Sequence, residues 1–108
     1  MIESKVISSI NWFEIRLGDV CHVLTGNTPS KSDPTNFGFD IPFIKPPNLQ
    51  HKLVGQTEEM LSSKGGEKSR LVPENSVLVT CIGNLGRTGI TKRRSAFNQQ
   101  INAILENE

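Results

Sequence analysis

The sequence predicts an α+β fold: a strand-rich twisted sheet with a short helix after the first strand and long loops on one side. Three observations support this prediction. Phe13, Ile15 and Leu17 alternate with charged residues, and this period of two is typical of a half-buried strand. Residues 76–82 (SVLVTCI) form a β-branched run typical of a buried strand. The segment 27–40 (NTPSKSDPTNFGFD) is rich in residues that favour turns, which indicates a long surface loop.

The elements of the first half follow from local patterns. After the strand at 13–17, Asp19 is a suitable N-cap, so a short helical turn is predicted over residues 20–24. The apolar residues of segment 41–44 predict a short strand beyond the long loop. Because Pro42 cannot donate a ladder hydrogen bond, this strand is expected at a sheet edge.

The second half contains the clearest strand. The polar segment 62–70 predicts a loop, although a poor helix over 63–71 remains open. The core strand at 76–82 leads into a glycine-rich turn. Segment 90–97 then reads as a hairpin return or an edge strand, and the apolar residues of 101–104 predict a final strand.

Length and composition limit the classes of protein that fit. A chain of 108 residues with 12 Lys and Arg against 11 Asp and Glu has a net charge of +1 and room for one domain, so a self-contained multidomain enzyme is excluded. The apolar runs are far shorter than the ~20 residues that a membrane-spanning helix needs. The first residues do not resemble a secretory signal. We therefore expect a protein of the cytoplasm with no membrane contact.

No catalytic or metal-binding constellation is predicted. His22 and His51 have no second ligand at helical spacing, and Cys21 and Cys81 are too far apart for a metal framework. The motif at 83–89 (GNLGRTG) lacks the Lys-Ser/Thr ending of a phosphate-binding P-loop. A plain glycine-rich turn is the favoured interpretation of that motif.

The local charge is more informative than the total charge. Arg87, Lys92, Arg93 and Arg94 fall in a stretch without acidic residues, which carries +4 in a nearly neutral chain. On a strand, Arg93 would face away from Lys92 and Arg94. Two interpretations stay open: a surface that faces a polyanion, or an edge strand protected from aggregation by its charges.

Four segments in a particular order resemble a known family. They are Trp12 with LGD at 17–19, GNTPS at 26–30, an apolar strand ending in GNLG at 83–86, and NQQI at 98–101. Together they resemble the target recognition domain of the specificity subunit of type I restriction-modification systems, and the resemblance covers most of the chain.

The resemblance implies a non-catalytic module that reads the sequence of double-stranded DNA, as the specificity subunit or a fragment of it, with its long loops facing DNA. It also implies modification (methyltransferase) and restriction subunits as partners. S-adenosylmethionine, ATP and magnesium would belong to these partners, and this chain would hold no cofactor. The alternative from another class is a non-DNA protein-interaction module of mixed α+β fold.

The resemblance and the local charge together give a set of candidate DNA contacts. Cationic side chains would contact phosphates, and polar side chains would reach base edges. We expect residues 1–108 to form a single, partial recognition domain, since domains of the family are longer and continue into a spacer helix. Three alternatives stay open: a truncated gene product, a fragment, or a minimal half that pairs with a second copy or a second recognition domain. The candidate contacts are Thr28, Ser30, Lys31, Lys45, Asn48, Asn84, Gly86, Arg87, Lys92, Arg93 and Arg94.

Overall fold

The computed structural model describes residues 21–81 and 86–106, so the strand predicted at 13–17 lies outside the described residues. Within them the chain is strand-rich, as predicted, with one short helix and two 3₁₀ turns. The strands are β1 (Cys21–Thr25), β2 (Phe37–Ile44), β3 (Lys52–Val54), β4 (Met60–Leu61), β5 (Leu71–Val72), β6 (Val77–Thr80), β7 (Thr88–Thr91), β8 (Ser95–Phe97) and β9 (Ile101–Glu106). The helix α1 spans Ser63–Glu67, and the 3₁₀ turns span Pro34–Asn36 and Pro46–Asn48.

The strands form two sheets where the sequence predicted one. The larger sheet has the order β1-β9-β6-β7-β3, and the smaller has the order β4-β2-β8-β5. The pairs β3–β7 and β2–β8 are parallel, and the other pairs are antiparallel. The predicted core strand and final strand are confirmed as β6 and β9, which pair with each other inside the larger sheet.

The core draws on both sheets. One cluster joins Leu78 and Ile101 of the larger sheet to Ile44 and Phe97 of the smaller one, all fully buried. A second cluster surrounds Phe43 on the other side of β2. Because neighbouring residues of a strand point to opposite faces, the apolar run of β2 supplies both clusters. Each fully buried large apolar side chain contributes about 1.5–3 kcal/mol relative to an exposed one.

One face of the larger sheet carries an apolar row across all five strands. In register, Val23 lies opposite Ile104, Ile104 opposite Val77, Val77 opposite Ile90, and Ile90 opposite Leu53. Directly paired residues share a face of a sheet, so these five side chains form one continuous row. Four of them are between 38% and 54% exposed, and Ile104 is half-buried.

The helical turn predicted over residues 20–24 is wrong where the structure describes it, because residues 21–25 form β1. These residues pair with β9 at five consecutive positions. Nucleating a helix is costly for so short a segment, and here the ladder with β9 supplies the backbone hydrogen bonds instead. The short helix of the fold is instead α1, inside the segment where a poor helix was left open. Its N-cap is Ser62, whose Oγ accepts a hydrogen bond from the Gly65 N–H at 3.1 Å.

The edge position predicted for segment 41–44 is also wrong. This segment is the end of β2, which lies between β4 and β8. Pro42 is tolerated there because the register with β8 begins one residue later, at Phe43. On the other side, Pro42 pairs with Met60 just after the register shift between Phe37 and Ile41.

Two predicted boundaries differ as well. The long loop predicted over 27–40 ends earlier, because a 3₁₀ turn and β2 begin within it. The hairpin return predicted for segment 90–97 is confirmed only at its start, where Ile90 and Thr91 lie in β7, which pairs antiparallel with the preceding β6. The alternative of a single edge strand is wrong, because the segment begins in β7 of the larger sheet and ends in β8, an interior strand of the smaller sheet. Residues 92–94 therefore connect the two sheets.

Candidate functional site

The basic loop, defined as Lys92, Arg93 and Arg94, carries the cationic cluster predicted from the sequence. All three residues are exposed and lie in bends between β7 and β8, so the predicted strand alternation of their side chains is wrong. Buried residues hold both ends of the loop. The Thr91 hydroxyl donates to the Pro73 carbonyl at 2.8 Å before it, and the Ser95 hydroxyl donates to the Arg93 carbonyl at 2.7 Å after it.

Among the described residues, none of the three cations of the basic loop forms an ion pair. Lys92 is held by its backbone, whose N–H donates to the Val54 carbonyl at 2.9 Å. Arg93 Nη2 donates to the Asp40 backbone carbonyl at 2.8 Å, a neutral acceptor. Arg94 lines a shallow cavity with Asp40 and Ser63. The loop therefore presents three positive charges that remain available to an anion.

Two other predicted cations share one acidic partner. Lys45 Nζ lies 2.6 Å from Glu59 Oε1, and Lys31 Nζ lies 3.9 Å from the same oxygen. Lys45 Nζ also lies 5.9 Å from the centre of the Phe43 ring. Glu59 Oε1 is buried, so its contact with Lys45 holds that lysine, whereas Lys31 is the more exposed and more distant of the two.

Arg87 and Asn48 have structural roles around the Pro46–Asn48 turn. Arg87 is half-buried and donates from Nη1 to the Pro46 carbonyl at 3.2 Å. Asn48 Oδ1 accepts from the Lys45 N–H at 2.8 Å, and the Asn48 N–H donates to the Lys45 carbonyl at 2.8 Å. This reciprocal pair caps the turn, so the side-chain oxygen Oδ1 of Asn48 already has a partner within the fold.

The remaining predicted residues lie in two other places. The Thr28 hydroxyl donates to Gln99 Oε1 at 2.6 Å, and the exposed Ser30 hydroxyl lies 2.8 Å from that of Ser32. Gly86 is exposed and has a φ of 84°, a left-handed conformation that favours glycine. Asn84 lies outside the described residues.

Sequence reasoning missed the residues that join the basic loop into a groove. An open cavity of about 600 Å³ runs between the Pro46–Asn48 turn, β3 and the basic loop. Its polar lining includes Gln50, Lys52 and Gln56, together with Lys92 and Arg93. We call it the basic groove. These segments meet because β3 pairs in parallel with β7, a long-range contact that local spacing does not reveal.

Asp33 fixes the loop before β2 against α1. Its carboxylate accepts hydrogen bonds from the Thr35 hydroxyl and N–H, and Lys64 Nζ donates to it at 2.9 Å. These bonds, with the Thr35 hydroxyl as the largest cause and Lys64 next, hold the pKa of Asp33 well below its usual value. The predicted loop is therefore tied to the helix at a defined point.

The described residues offer little other chemistry. In the described ranges, no three His, Cys, Asp or Glu side chains come together as a possible metal site. His51 has a φ of 59°, and its Nδ1 lies 2.9 Å from the Thr88 hydroxyl at the edge of the larger sheet. No described helix is both long and apolar enough to cross a membrane.

Comparisons with known proteins agree with one another. The family described as the type I restriction modification DNA specificity domain matches residues 9–108. The type I restriction enzyme HindI specificity subunit of Haemophilus influenzae is 35% identical over 90% of this chain. The MjaIX specificity subunit of Methanocaldococcus jannaschii is 26% identical over 88% of it. This chain spans only 22% and 23% of the lengths of these two relatives.

Solved structures share the fold. The HsdS subunit from Thermoanaerobacter tengcongensis matches 87% of this chain with a TM-score of 0.66 and 16% identity, over 23% of its own length. A chain from a structure on complex assembly of the type I R-M system matches 99% of this chain with a TM-score of 0.71 and 16% identity, over 27% of its own length. At this level of identity, the likeness establishes the arrangement of strands.

Proposed function

Because this chain belongs to the family of type I restriction modification DNA specificity domains, we propose that it recognises specific sequences in double-stranded DNA. It would do so as the specificity subunit of a type I restriction-modification complex or as part of one. The specificity subunits it resembles are components of restriction enzymes. We accordingly propose a recognition role without catalysis for this chain.

The observation that carries the proposal is the uncompensated charge of the basic loop. Its three exposed cations lie where the chain passes from one sheet to the other, held by buried residues at both ends. Phosphate contacts fix the register of a protein on a duplex, and they need cations whose positions are set by the fold. The basic loop meets that requirement.

The other predicted residues divide by their contacts. Ser30 and Lys31 are exposed on the loop before β2, and we propose that they face DNA. Thr28, Asn48 and Arg87 would shape the interface through the intrachain bonds described above. Lys45 would contact a phosphate after release from Glu59, and residues 84–86 would approach the backbone of the duplex.

The rest of the complex is proposed from the family. Modification and restriction subunits would carry out methylation and cleavage, with S-adenosylmethionine, ATP and magnesium bound to those subunits. A second recognition domain, or a second copy of this chain, would read the other part of the target. The proposed site of action is the cytoplasm.

A salt series tests the proposal. The 108-residue chain, with folding verified by a cooperative thermal melt, is titrated with a duplex of random sequence at increasing salt. Contact with four to five phosphates predicts a slope of log K against log salt of about −4. Selection from a random pool should then enrich one preferred sequence. Binding with no enrichment would contradict sequence-specific recognition.

A matched pair of charge reversals locates the surface. Arg94→Glu should weaken binding about tenfold and make the slope less steep by about 1, because a charged phosphate contact is lost. Lys68→Glu changes the net charge equally, but Lys68 lies at the end of α1, 3.8 Å from Asp33, and should have little effect. Equal losses in both variants would show that binding follows net charge and would refute the assignment to the basic loop.

The apolar row favours a second candidate function, contact with another protein. A continuous row of half-exposed apolar side chains is a common feature of protein interfaces. Ile90→Thr changes the row without altering the charge, so DNA affinity should stay within about twofold of the parent. Unchanged DNA affinity in a folded Arg94→Glu chain would favour the protein-interaction module.

A further inference from the structure

The basic groove combines cations and amides from segments far apart in the sequence. Lys52 comes from β3, whereas Lys92 and Arg93 come from the basic loop. Asn48, Gln50 and Gln56 add side-chain amides to the same lining. Of the lining residues that the structure describes, none is acidic. An open cavity of about 600 Å³ with this lining suits an extended anion with hydrogen-bonding groups.

The cations of the groove are positioned by backbone contacts. The Lys92 N–H donates to the Val54 carbonyl at 2.9 Å, next to Gly55. A Cβ atom at Gly55 would lie 3.1 Å from both Cβ and Cδ of Lys92, so the missing side chain at Gly55 gives room to the aliphatic stem of Lys92. Lys52 lies opposite Gly89 in the parallel ladder, which places it at the outer strand of the larger sheet.

The acidic residues around the groove line other cavities, Asp40 with Arg93 and Arg94 in one, and Glu58 with Glu59 in another. Glu58 and Glu59 line a smaller cavity that shares only Pro47 and Asn48 with the basic groove among the described lining residues. Glu59 is paired with Lys45 at 2.6 Å on that side. The carboxylates of Glu58 and Glu59 therefore line a different cavity from the cations of the basic groove.

We propose that the basic groove holds the sugar-phosphate backbone of one DNA strand, with Lys52 and Lys92 contacting phosphates of that strand. This inference rests on the proposed function and adds Lys52, which the sequence did not indicate, as a residue that fixes register. Lysine contacts phosphate as a point charge and reads no base by that contact. The groove thus sets affinity and position, and base reading falls to other side chains.

The first test is Lys52→Gln in the 108-residue chain, with Lys68→Gln as the matched control. Binding is measured to the preferred duplex and to a random duplex across a salt series. Lys52→Gln should weaken both about equally, by about three- to tenfold, and make the salt slope less steep by about 0.9. Lys68→Gln should match the parent. An unchanged slope and affinity in Lys52→Gln would overturn the groove assignment, and so would a selective loss on the preferred duplex.

A second test identifies the contacted phosphates. Single phosphates of the preferred duplex are replaced by neutral methylphosphonates, one position at a time. One or two adjacent positions in one strand should weaken parent binding and have no further effect on Lys52→Gln, because that contact is already lost. Equal penalties in parent and variant at every position would overturn the proposal. A parent chain that binds no duplex would refute the proposed function itself, whereas a binding parent with no coupling refutes only the groove.

Discussion

Replacing Gly65 of α1 by Ala should destabilise the fold, although Ala is the better helix former. A Cβ atom at this position would lie 1.9 Å from the Asn36 carbonyl oxygen and 2.8 Å from its carbonyl carbon. The same oxygen accepts the Ser62 N–H at 3.0 Å. Because the clashing atoms belong to the backbone of Asn36, α1 must move away from the 3₁₀ turn at Pro34–Asn36. This movement weakens the hydrogen bond from the Ser62 N–H to the Asn36 carbonyl.

The magnitude follows from competing effects. Helix propensity favours Ala by about 1 kcal/mol. Overpacking costs about 1–3 kcal/mol, and loss of the hydrogen bond costs about 1 kcal/mol more. The net loss of unfolding free energy is about 2 kcal/mol, which lowers the melting temperature of a domain of this size by about 10 °C.

Thermal and urea unfolding followed by circular dichroism measure this loss. Glu67→Ala is the matched control, since Glu67 is an exposed residue of the same helix and its replacement should change stability by about 0.5 kcal/mol or less. A Gly65→Ala chain as stable as the parent would show that α1 does not approach the Asn36 backbone this closely, and the packing argument would fail.

Two further predictions concern the sheet and the loop before β2. Leu78→Ala, at a fully buried position, should lower the free energy of unfolding in urea by about 2–5 kcal/mol. Ile90→Thr, in the half-exposed apolar row, should lower it by only about 0.5 kcal/mol. Equal losses would contradict the assignment of Leu78 to the buried face and Ile90 to the exposed face of the larger sheet. Asp33→Asn should make the unfolding free energy depend less on pH in the acid range. The lowered pKa of Asp33 stabilises the folded parent at pH values above the ordinary pKa of 3.8, and this stabilisation is lost as the pH falls below 3.8. If urea unfolding at a series of pH values shows the same acid dependence in Asp33→Asn as in the parent, the hydrogen bonds to the Asp33 carboxylate do not lower its pKa.

Strands with strong local patterns could be predicted from the sequence. β6 and β9 are confirmed because their β-branched and apolar residues match a buried strand, and the structure places both inside the larger sheet. β1 was missed because five residues with an upstream N-cap fit either a helical turn or a strand. Its pairing with β9 decides the outcome, and that partner lies about 80 residues away in the chain.

The candidate site could be predicted in part. The charge of the basic loop is a local property, so the sequence reveals it directly. The directions of the Lys92, Arg93 and Arg94 side chains cannot be predicted from local sequence, because the chain passes from one sheet to the other within these three residues. Lys52 was missed for a similar reason, since it reaches the basic groove only through the parallel pairing of β3 with β7.

The position of Arg93 shows how both sheets contribute to the site. Its guanidinium donates to the carbonyl of Asp40 in β2 at 2.8 Å, while the Asp40 carboxylate accepts the Ser63 N–H of α1 at 3.1 Å. The neighbouring Lys92 is bonded through its N–H to Val54 of the larger sheet at 2.9 Å. Adjacent cations are thus anchored to different sheets, so the distance between their charges depends on how the sheets pack. Substitutions that loosen the shared core should therefore weaken DNA binding before the chain unfolds, even when they touch no charged residue.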